Sequence, residues 1–278
     1  MLVKRVVTAV VLLAILAIDL SLDNPWPLLA FFCVAVGVTA YEWLRLTAPM
    51  RPALAYGGGV LLLVATAVQA WLWVGHDSPE TSLLLVLAVV VAAVWLVVIP
   101  VRLYRAQIDH RAASVGWSLF APACLYATWG VLALFWLQAG AWYLLSLLLV
   151  IWIADILAYF GGRRFGRHKL APNISPGKTR EGALFGLAGV LIWMMSTAFV
   201  ENSYASALHQ SWGWGGLALG SLLLGILAIM GDLFESYLKR QADVKDSSAL
   251  LPGHGGVYDR VDAVVAVVPV AYLLVIEF

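Results

Sequence analysis

Charged residues are scarce in this chain of 278 residues. Only 12% of the residues are Asp, Glu, Lys or Arg, whereas 63% are hydrophobic, and the mean hydropathy is +0.91. This composition lies outside the range of soluble domains and predicts an integral membrane protein. The net charge of +1 carries no signal for nucleic-acid binding, and we expect no nucleic-acid partner.

Cysteine is also rare, with two residues in the whole chain. Cys33 and Cys124 both lie within apolar segments, far from any cluster of further metal ligands. This pattern argues against a disulfide framework and against a zinc site. We expect both thiols to be buried packing residues.

A nucleotide-binding P-loop is missing as well. The Gly177-Lys178-Thr179 sequence is similar to the end of one, but Pro172 stands where the pattern requires its first glycine. The preceding segment is apolar and helical in character, whereas a P-loop follows a strand. A Walker-type phosphate site is therefore excluded.

Long apolar runs make up most of what remains. Because the runs are continuous and do not alternate, they predict helices and not the strands of a barrel. We predict an all-α polytopic membrane protein with helices 1–5 in residues 1–137 and helices 6–9 in a catalytic half, residues 138–278. The nine segments are residues 6–22, 27–45, 53–75, 82–101, 115–137, 141–160, 182–200, 213–234 and 263–278.

The positions of the cations predict the topology of these helices. All 17 Lys and Arg residues fall in alternate connections, beginning with Lys4 and Arg5 before the first segment. The opposite connections contain only acidic charges, such as Asp77 and Glu201. The positive-inside rule places the N-terminus in the cytoplasm and the C-terminus outside. We expect residues 6–22 to be a retained anchor, because no small-x-small cleavage site follows them.

Two polar connections of the second half, 161–181 and 235–262, are predicted to face the cytoplasm, where they can close over one site. Asp155 lies inside the sixth apolar segment. A carboxylate within a membrane is costly, which favours a functional role, although a solvated position near the interface is the alternative.

The end of the eighth segment predicts a polar helix face. Asp232, Glu235, Ser236 and Lys239 follow at i, i+3, i+4 and i+7, so they share one side of a helix. Converging oxygens suit a divalent cation, and a lysine one turn further suits a phosphate bound to it. The alternative is an internal ion pair between Glu235 and Lys239.

The PGHGG sequence (252–256) indicates a turn whose backbone N–H groups form an anion nest. His254 is either a phosphate ligand or a structural residue of that turn. Asp259 and Asp262, at i and i+3, are able to share a metal, or one of them orients Arg260. In the other connection, the phosphate-ligand candidates precede a predicted helix N-terminus; they are Ser175, Lys178 and Thr179.

A family resemblance covers residues 155–262. The sequence S-x-x-K-R-x-x-x-x-K-D-x-x-x-x-L-P-G-H-G-G-x-x-D-R-x-D, from Ser236 to Asp262, resembles the signature of the phosphatidate cytidylyltransferases. The run from Asp155 to Gly182 also resembles that family. It departs at Gly177 and Arg180, where the family often has Lys and Trp.

The resemblance implies transfer of the cytidylyl group of CTP to phosphatidate, giving CDP-diacylglycerol and pyrophosphate. It implies Mg²⁺, with room for a second cation such as K⁺, and a homodimer in a bacterial inner membrane among membrane lipids. The expected metal ligands are Asp232 and Asp259, with Asp155 and Asp262 as further candidates. The expected catalytic residues are Asp232, Asp259, Lys178, Lys239 and Arg260. The expected substrate-binding residues are Ser175, Lys178, Thr179, Ser236, Lys239, Arg240, Lys245, Asp246, His254, Gly255 and Gly256.

Two other functions fit parts of the sequence. A CTP-dependent polyprenol kinase would use a similar membrane site but transfer the terminal phosphoryl group. An ion-coupled transporter would use Asp155 and Asp232, but such proteins commonly contain repeats with broken helices at the membrane midplane. The intact signature favours the cytidylyltransferase.

Overall fold

The computed structural model describes residues 24–75, 80–108, 114–251 and 255–276. The predicted first segment, residues 6–22, lies outside them. Within the described residues the helices are α1 (Trp26–Thr47), α2 (Pro52–Trp73), α3 (Ser82–Ala93), α4 (Ile99–Arg105), α5 (Val115–Phe165), α6 (Arg180–Thr197), α7 (Tyr204–Gln241), α8 (Tyr258–Val261) and α9 (Val264–Val275). A π-helical turn, Val94–Val98, joins α3 to α4, and a hairpin of β1 (Lys169–Ala171) and β2 (Ser175–Thr179) separates α5 from α6.

Five helical stretches of the described residues are long and apolar enough to cross a membrane. They are Trp26–Thr47, Pro52–Trp73, Ser82–Arg105, Val115–Phe165 and Tyr204–Gln241. The chain is thus nearly all helical and has the spans of a membrane protein, which confirms the prediction at that level. The number of nine spans and their orientation stay predictions.

Two glycines interrupt the longest helices. Gly140 in α5 has φ 83° and Gly213 in α7 has φ 64°, both in the left-handed region that favours glycine. The first break falls between the predicted segments 115–137 and 141–160. The second coincides with the predicted start of segment 213–234, although helical structure already begins at Tyr204.

The core packs α1 against the C-terminal half of the chain through aromatic side chains. Trp43 stacks on Tyr258 of α8 with 4.9 Å between ring centroids, and lies 5.7 Å from the ring of Phe234 in α7. All three side chains are fully buried. Cys33 in α1 and Cys124 in α5 are buried free thiols, as expected of packing residues.

Small residues bring α5 and α6 into close contact. A Cβ on Gly182 would lie 2.6 Å from the carbonyl oxygen of Ala158, and one on Gly186 would lie 2.7 Å from that of Ala154. Glycine at these positions allows the two backbones to approach, as is common between membrane helices. The hairpin between α5 and α6 is therefore held close to both helices.

Both predicted polar loops contain more regular structure than expected. Helix α5 continues to Phe165, and the β1–β2 hairpin then pairs Lys169 with Thr179 and Ala171 with Ser175 in antiparallel register. Helix α7 continues to Gln241, seven residues into the predicted 235–262 loop. Because α7 does not end at residue 234, its polar face projects as a continuous helix beyond the apolar segment.

Candidate active site

A cleft of about 480 Å³ lies between α5, the hairpin, α6 and α7. Its walls contain residues from both halves of the predicted site, although 54 positions of sequence separate Lys178 from Asp232. The polar side chains that line it are Asp155, Tyr159, Arg163, Ser175, Lys178, Thr179 and Asp232. Five of these seven were predicted from the sequence, and the cleft adds Tyr159 and Arg163.

Lys178 and Asp232 form an ion pair in the wall of the cleft. The Lys178 Nζ lies 2.7 Å from the Asp232 Oδ2, and the two side chains are 24% and 30% exposed. Asp155 lies within electrostatic range of both side chains and of Arg260. Opposite charges that remain partly accessible are able to exchange partners when a phosphate enters.

Asp262 adds a half-buried carboxyl group close to this cleft. Burial raises the pKa of Asp262 well above its usual value, and the nearby Asp232 and Asp155 carboxylates raise it further. Its Oδ1 accepts a hydrogen bond of 2.8 Å from the backbone N–H of Ala263. Three carboxyl groups therefore interact here with Lys178 and Arg260 as nearby cations.

This set of oxygen donors fits Mg²⁺. Asp155 and Asp232 line the cleft, and Mg²⁺ is commonly held by one or two carboxylates together with waters and substrate phosphates. No group of three or more His, Cys, Asp or Glu side chains within the described ranges is close enough to hold a metal unaided. A cation at this point would take its remaining ligands from phosphate oxygens.

A second charged centre lies where α7 meets α8. The Lys239 Nζ is 2.6 Å from Glu235 Oε2 and 2.7 Å from Asp259 Oδ1, so the lysine lies between two carboxylates. The three side chains are 15%, 2% and 6% exposed. The internal Glu235–Lys239 ion pair considered from the sequence is thus present, and Lys239 also reaches Asp259.

Asp259 binds the backbone of its own loop. Its Oδ2 accepts hydrogen bonds from Ser247 N (3.0 Å), Ser247 Oγ (2.8 Å) and Gly256 N (2.7 Å). Burial acts to raise the pKa of Asp259, but hydrogen bonds with Glu235, Lys239, Gly256 and Ser247 hold it below its usual value. The carboxylate therefore stays ionised, and it accepts the Gly256 N–H that the sequence assigned to substrate phosphate.

The two glycines of this turn lie directly against acidic side chains. Gly255 has φ +82°, and a Cβ there would lie 2.7 Å from Asp259 Oδ2. At Gly256 a Cβ would overlap the Ser247 hydroxyl and approach both carboxylate oxygens of Glu42 within 2.6 Å. Any side chain at either position would thus displace an acidic group from the loop.

Glu42 was not predicted from the sequence. It is fully buried in α1 and accepts hydrogen bonds from Val257 N (3.1 Å), Tyr258 N (2.7 Å) and the hydroxyl groups of Ser247 and Ser248. The sequence did contain a signal for it, because Glu42 is a carboxylate within the apolar segment 27–45. The cost of such a group in a membrane is the argument that identifies Asp155.

Three other predicted residues hold secondary structure in place. Arg240 Nε donates to the carbonyl oxygen of Ile174 at 3.3 Å, which ties α7 to the hairpin turn. Ser236 Oγ donates to Asp232 Oδ1 at 3.4 Å, within the predicted helix face. Thr179 is the N-cap of α6, where its Oγ1 accepts a hydrogen bond from Gly182 N at 3.1 Å.

The remaining predicted residues lie at the surface or outside the described chain. Lys245, Asp246 and Arg260 are exposed, close in sequence to the Asp259 centre. His254 lies outside the described residues, so its two alternatives stay predictions.

Comparison of the sequence with known proteins shows the family of this chain. The sequence pattern described as "Cytidylyltransferase family" matches residues 3–278. The chain belongs to the cytidylyltransferase family. It is 34% identical to the phosphatidate cytidylyltransferase of Pseudomonas aeruginosa, covering 97% of this chain and 95% of the relative. The enzyme of the same name from Brucella abortus is 35% identical, over 87% of this chain and 82% of the relative. The one from Haemophilus influenzae is 32% identical, over 97% of this chain and 96% of the relative. The resemblance inferred from the signature is thereby confirmed.

The departure of this cytidylyltransferase at Gly177 falls in the cleft wall. An added Cβ at Gly177 would meet no atom within 4 Å. Space for a longer side chain is therefore present, and the missing family lysine removes a positive charge without a change in packing. Lys178 is the adjacent cation that remains, already paired with Asp232.

Glu181 fastens the hairpin of this cytidylyltransferase to α6. Its Oε2 accepts from the backbone N–H groups of Arg167 (3.0 Å) and His168 (3.2 Å), and its Oε1 lies 2.6 Å from His168 Nδ1. These contacts lower the pKa of Glu181 from 4.5 to about 2, and the hydrogen bond with the His168 ring has the largest effect. The negative charge also lies in the first turn of α6, where it is favoured by the helix dipole.

The docked hairpin is therefore expected to loosen only in strong acid. The pKa of Glu181 is lower in the folded protein than in the unfolded chain. Its contribution to the stability of the docked hairpin is therefore fully present above pH 4.5 and is lost as the pH falls through about 2. In Glu181→Gln this dependence should disappear, and the amides of Arg167 and His168 should exchange hydrogen about 5-fold or more faster at pH 7. Hydrogen–deuterium exchange measures both effects, and an unchanged exchange rate in the variant would contradict them.

Proposed function

We propose that this protein transfers the cytidylyl group of CTP to phosphatidate, giving CDP-diacylglycerol and pyrophosphate for phospholipid synthesis. The observation that carries the proposal is the charged cleft: Lys178, paired with Asp232, faces Asp155 and the hydroxyl-bearing end of the hairpin. The relatives named phosphatidate cytidylyltransferase match the chain across this region and most of the remainder. The substrates are those that their name implies.

The reaction needs alignment and charge screening more than covalent catalysis. A phosphate oxygen of phosphatidate attacks the α-phosphorus of CTP, a new P–O bond forms, and the bond to the β-phosphate breaks as pyrophosphate leaves. Lys178 and Arg163 supply positive charge in the cleft, and Ser175 and Thr179 supply hydroxyl donors. Fixed groups of this kind stabilise the charge that develops on the transferred and leaving phosphates.

Mg²⁺ would be held in the cleft by Asp232 and Asp155, close to Asp262, and Asp259 stays a predicted ligand. When bound, Mg²⁺ neutralises phosphate charge and orients the two substrates. Asp259 is engaged by Lys239 and by its own loop, so a role at a cation such as K⁺ would require Lys239 to move aside. Lys239, Arg240, Lys245 and Arg260 remain the proposed source of positive charge on the α7 and α8 side.

The proposed topology has nine spans, with the N-terminus in the cytoplasm and the C-terminus outside. All 17 cations of the chain support it, because they fall in alternate connections. The cleft would then open on the cytoplasmic face of a bacterial inner membrane, where CTP is available. Phosphatidate would enter laterally from the lipid, and we propose a homodimer on the basis of the family alone.

Pyrophosphate release by the purified protein in detergent tests this function. Release is expected to need phosphatidate, CTP and Mg²⁺ together, and to stop when EDTA removes the metal. Chromatography of the lipid product should show CDP-diacylglycerol. Formation of CDP with polyprenol in place of phosphatidate would instead identify a lipid kinase. Absence of nucleotide turnover with either lipid would favour the transporter.

A further inference from the structure

Glu42 is a buried carboxylate whose hydrogen bonds within the described part of the chain come from residues 247–248 and 257–258, which are distant in sequence. Its Oε1 accepts from Ser248 Oγ and Val257 N (3.1 Å), and its Oε2 accepts from Ser247 Oγ (3.1 Å) and Tyr258 N (2.7 Å). The chain separation reaches 216 residues. Each carboxylate oxygen thus binds one hydroxyl and one backbone N–H, which satisfies a charge that would otherwise be costly to bury.

Ser247 connects this carboxylate to the charged centre at α7. Its hydroxyl oxygen lies 3.1 Å from Glu42 Oε2 and 2.8 Å from Asp259 Oδ2, and its backbone N–H also donates to Asp259. Asp259 in turn binds Lys239 at 2.7 Å. A continuous chain of contacts therefore runs from α1 to the part of the family signature that carries Asp259 and Lys239.

We propose that Glu42 is a positioning residue for the proposed cytidylyl transfer. It binds the hydroxyl groups of residues 247 and 248 and the backbone N–H groups of residues 257 and 258. By joining these two stretches it holds Asp259 and Lys239 in position. The inference rests on the proposed function, and it assigns a role in the reaction to α1, which lies outside residues 155–262.

Aromatic packing alone does not account for this arrangement. Trp43 stacks on Tyr258 and brings α8 to the surface of α1. Stacked rings alone, however, allow α8 to slide and rotate relative to α1. Two backbone N–H groups and the Ser248 hydroxyl donate to the Glu42 carboxylate. The Ser247 hydroxyl shares its single proton between Glu42 and Asp259. These directional contacts fix the remaining freedom. Glu42 thus sets the register of a contact whose location the aromatic residues determine.

The Glu42→Gln variant isolates the carboxylate because it preserves size. Each oxygen of Glu42 accepts from a backbone N–H, so either orientation of the amide turns its NH₂ group toward Val257 N or Tyr258 N. We expect the amides of residues 257 and 258 to exchange hydrogen ~10-fold or more faster. The kcat for pyrophosphate release should fall about 10- to 100-fold, while the KM for CTP changes less than about 3-fold.

Thr39→Val is the matched control on the same helix. Thr39 is 1% exposed, and its hydroxyl donates to the carbonyl oxygen of Ala35 within α1. This variant should retain wild-type kcat and wild-type exchange at residues 257 and 258. Ser248→Ala, which removes one hydroxyl donor and leaves the carboxylate, should lower kcat by about 3-fold and provides a milder test if Glu42→Gln does not fold.

The outcomes separate positioning from general stability. Faster exchange confined to residues 247–251 and 255–260, together with a lower kcat, would support the proposal. Faster exchange throughout α1, α5 and α7, or unchanged kcat despite local exchange, would overturn it. A wild-type protein without pyrophosphate release would overturn the proposed function, and exchange would still decide whether Glu42 holds these residues.

Discussion

Asp259→Asn is expected to lower the rate of pyrophosphate release about 10²- to 10³-fold. The carboxylate accepts from Lys239 on one oxygen and from Ser247 and Gly256 on the other. An asparagine must turn its NH₂ group either toward the Lys239 ammonium or toward the two backbone N–H groups. Both orientations replace an attraction with a repulsion in a buried setting, so the loop and Lys239 lose their shared partner.

The measurement compares kcat of the purified variant with that of wild type at saturating CTP and phosphatidate. Glu201→Gln is the control, because it removes one negative charge from an exposed turn between α6 and α7. It should leave kcat within about 2-fold of wild type. An Asp259→Asn protein that retains kcat within about 3-fold would show that the carboxylate contributes little to the reaction.

The sequence predicts the helical character of this protein because long apolar runs admit few other structures in a membrane. It does not predict where the helices end. Segment 213–234 ends where hydrophobicity ends, yet α7 continues to Gln241 because Glu235 and Lys239 pair along the helix and Arg240 binds the hairpin. Polarity marks the limit of the apolar region and not the limit of the helix.

In the candidate site too, local sequence patterns identify residues, but they do not show which distant residues those residues contact. Local patterns identified Lys178 and Asp232, and the family resemblance supported both. Their ion pair depends on how α7 packs beside the hairpin, which no local pattern contains. Glu42 was missed for that reason, since the nearest of its partners, Ser247, lies 205 residues further along the chain.

The glycine-rich turn illustrates a further limit of the sequence. A run such as Gly255-Gly256 beside acidic residues predicts backbone N–H groups that bind an anion. It does not reveal which anion is bound. Here Gly256 N donates to Asp259, and Val257 N and Tyr258 N donate to Glu42. Phosphate binding is consequently better assigned to the cleft that contains Lys178.

Helix α7 connects the two charged centres of this enzyme. Asp232 pairs with Lys178 in the cleft, and Lys239, seven residues further on the same helix face, pairs with Glu235 and Asp259. A displacement of α7 would therefore alter both centres together. The two parts of the family signature thus lie on one helix and on the loop that follows it.

Lys178→Met is expected to lower kcat/KM for CTP about 100-fold or more, because it removes the cation that pairs with Asp232 in the cleft wall. The loss leaves Asp232 without its partner at 2.7 Å, next to Asp155. Phosphate then meets two carboxylates without the intervening ammonium group. Lys169→Met is the matched control, since Lys169 is exposed on the opposite strand of the same hairpin, and its kcat/KM should change less than about 3-fold.

The double variant Lys178→Met/Asp232→Asn decides whether the pair acts as a unit. If the ion pair is what organises the cleft, the second substitution removes nothing further, and the double variant should be about as slow as the slower single variant. A double variant whose rate reduction equals the product of the two single reductions would contradict this. It would mean that Lys178 and Asp232 act on different groups of the substrates. Steady-state pyrophosphate release by the four proteins of the cycle distinguishes the two results. Equal rates in the double and single variants would make the Lys178–Asp232 contact one functional element, built from the hairpin and α7 together.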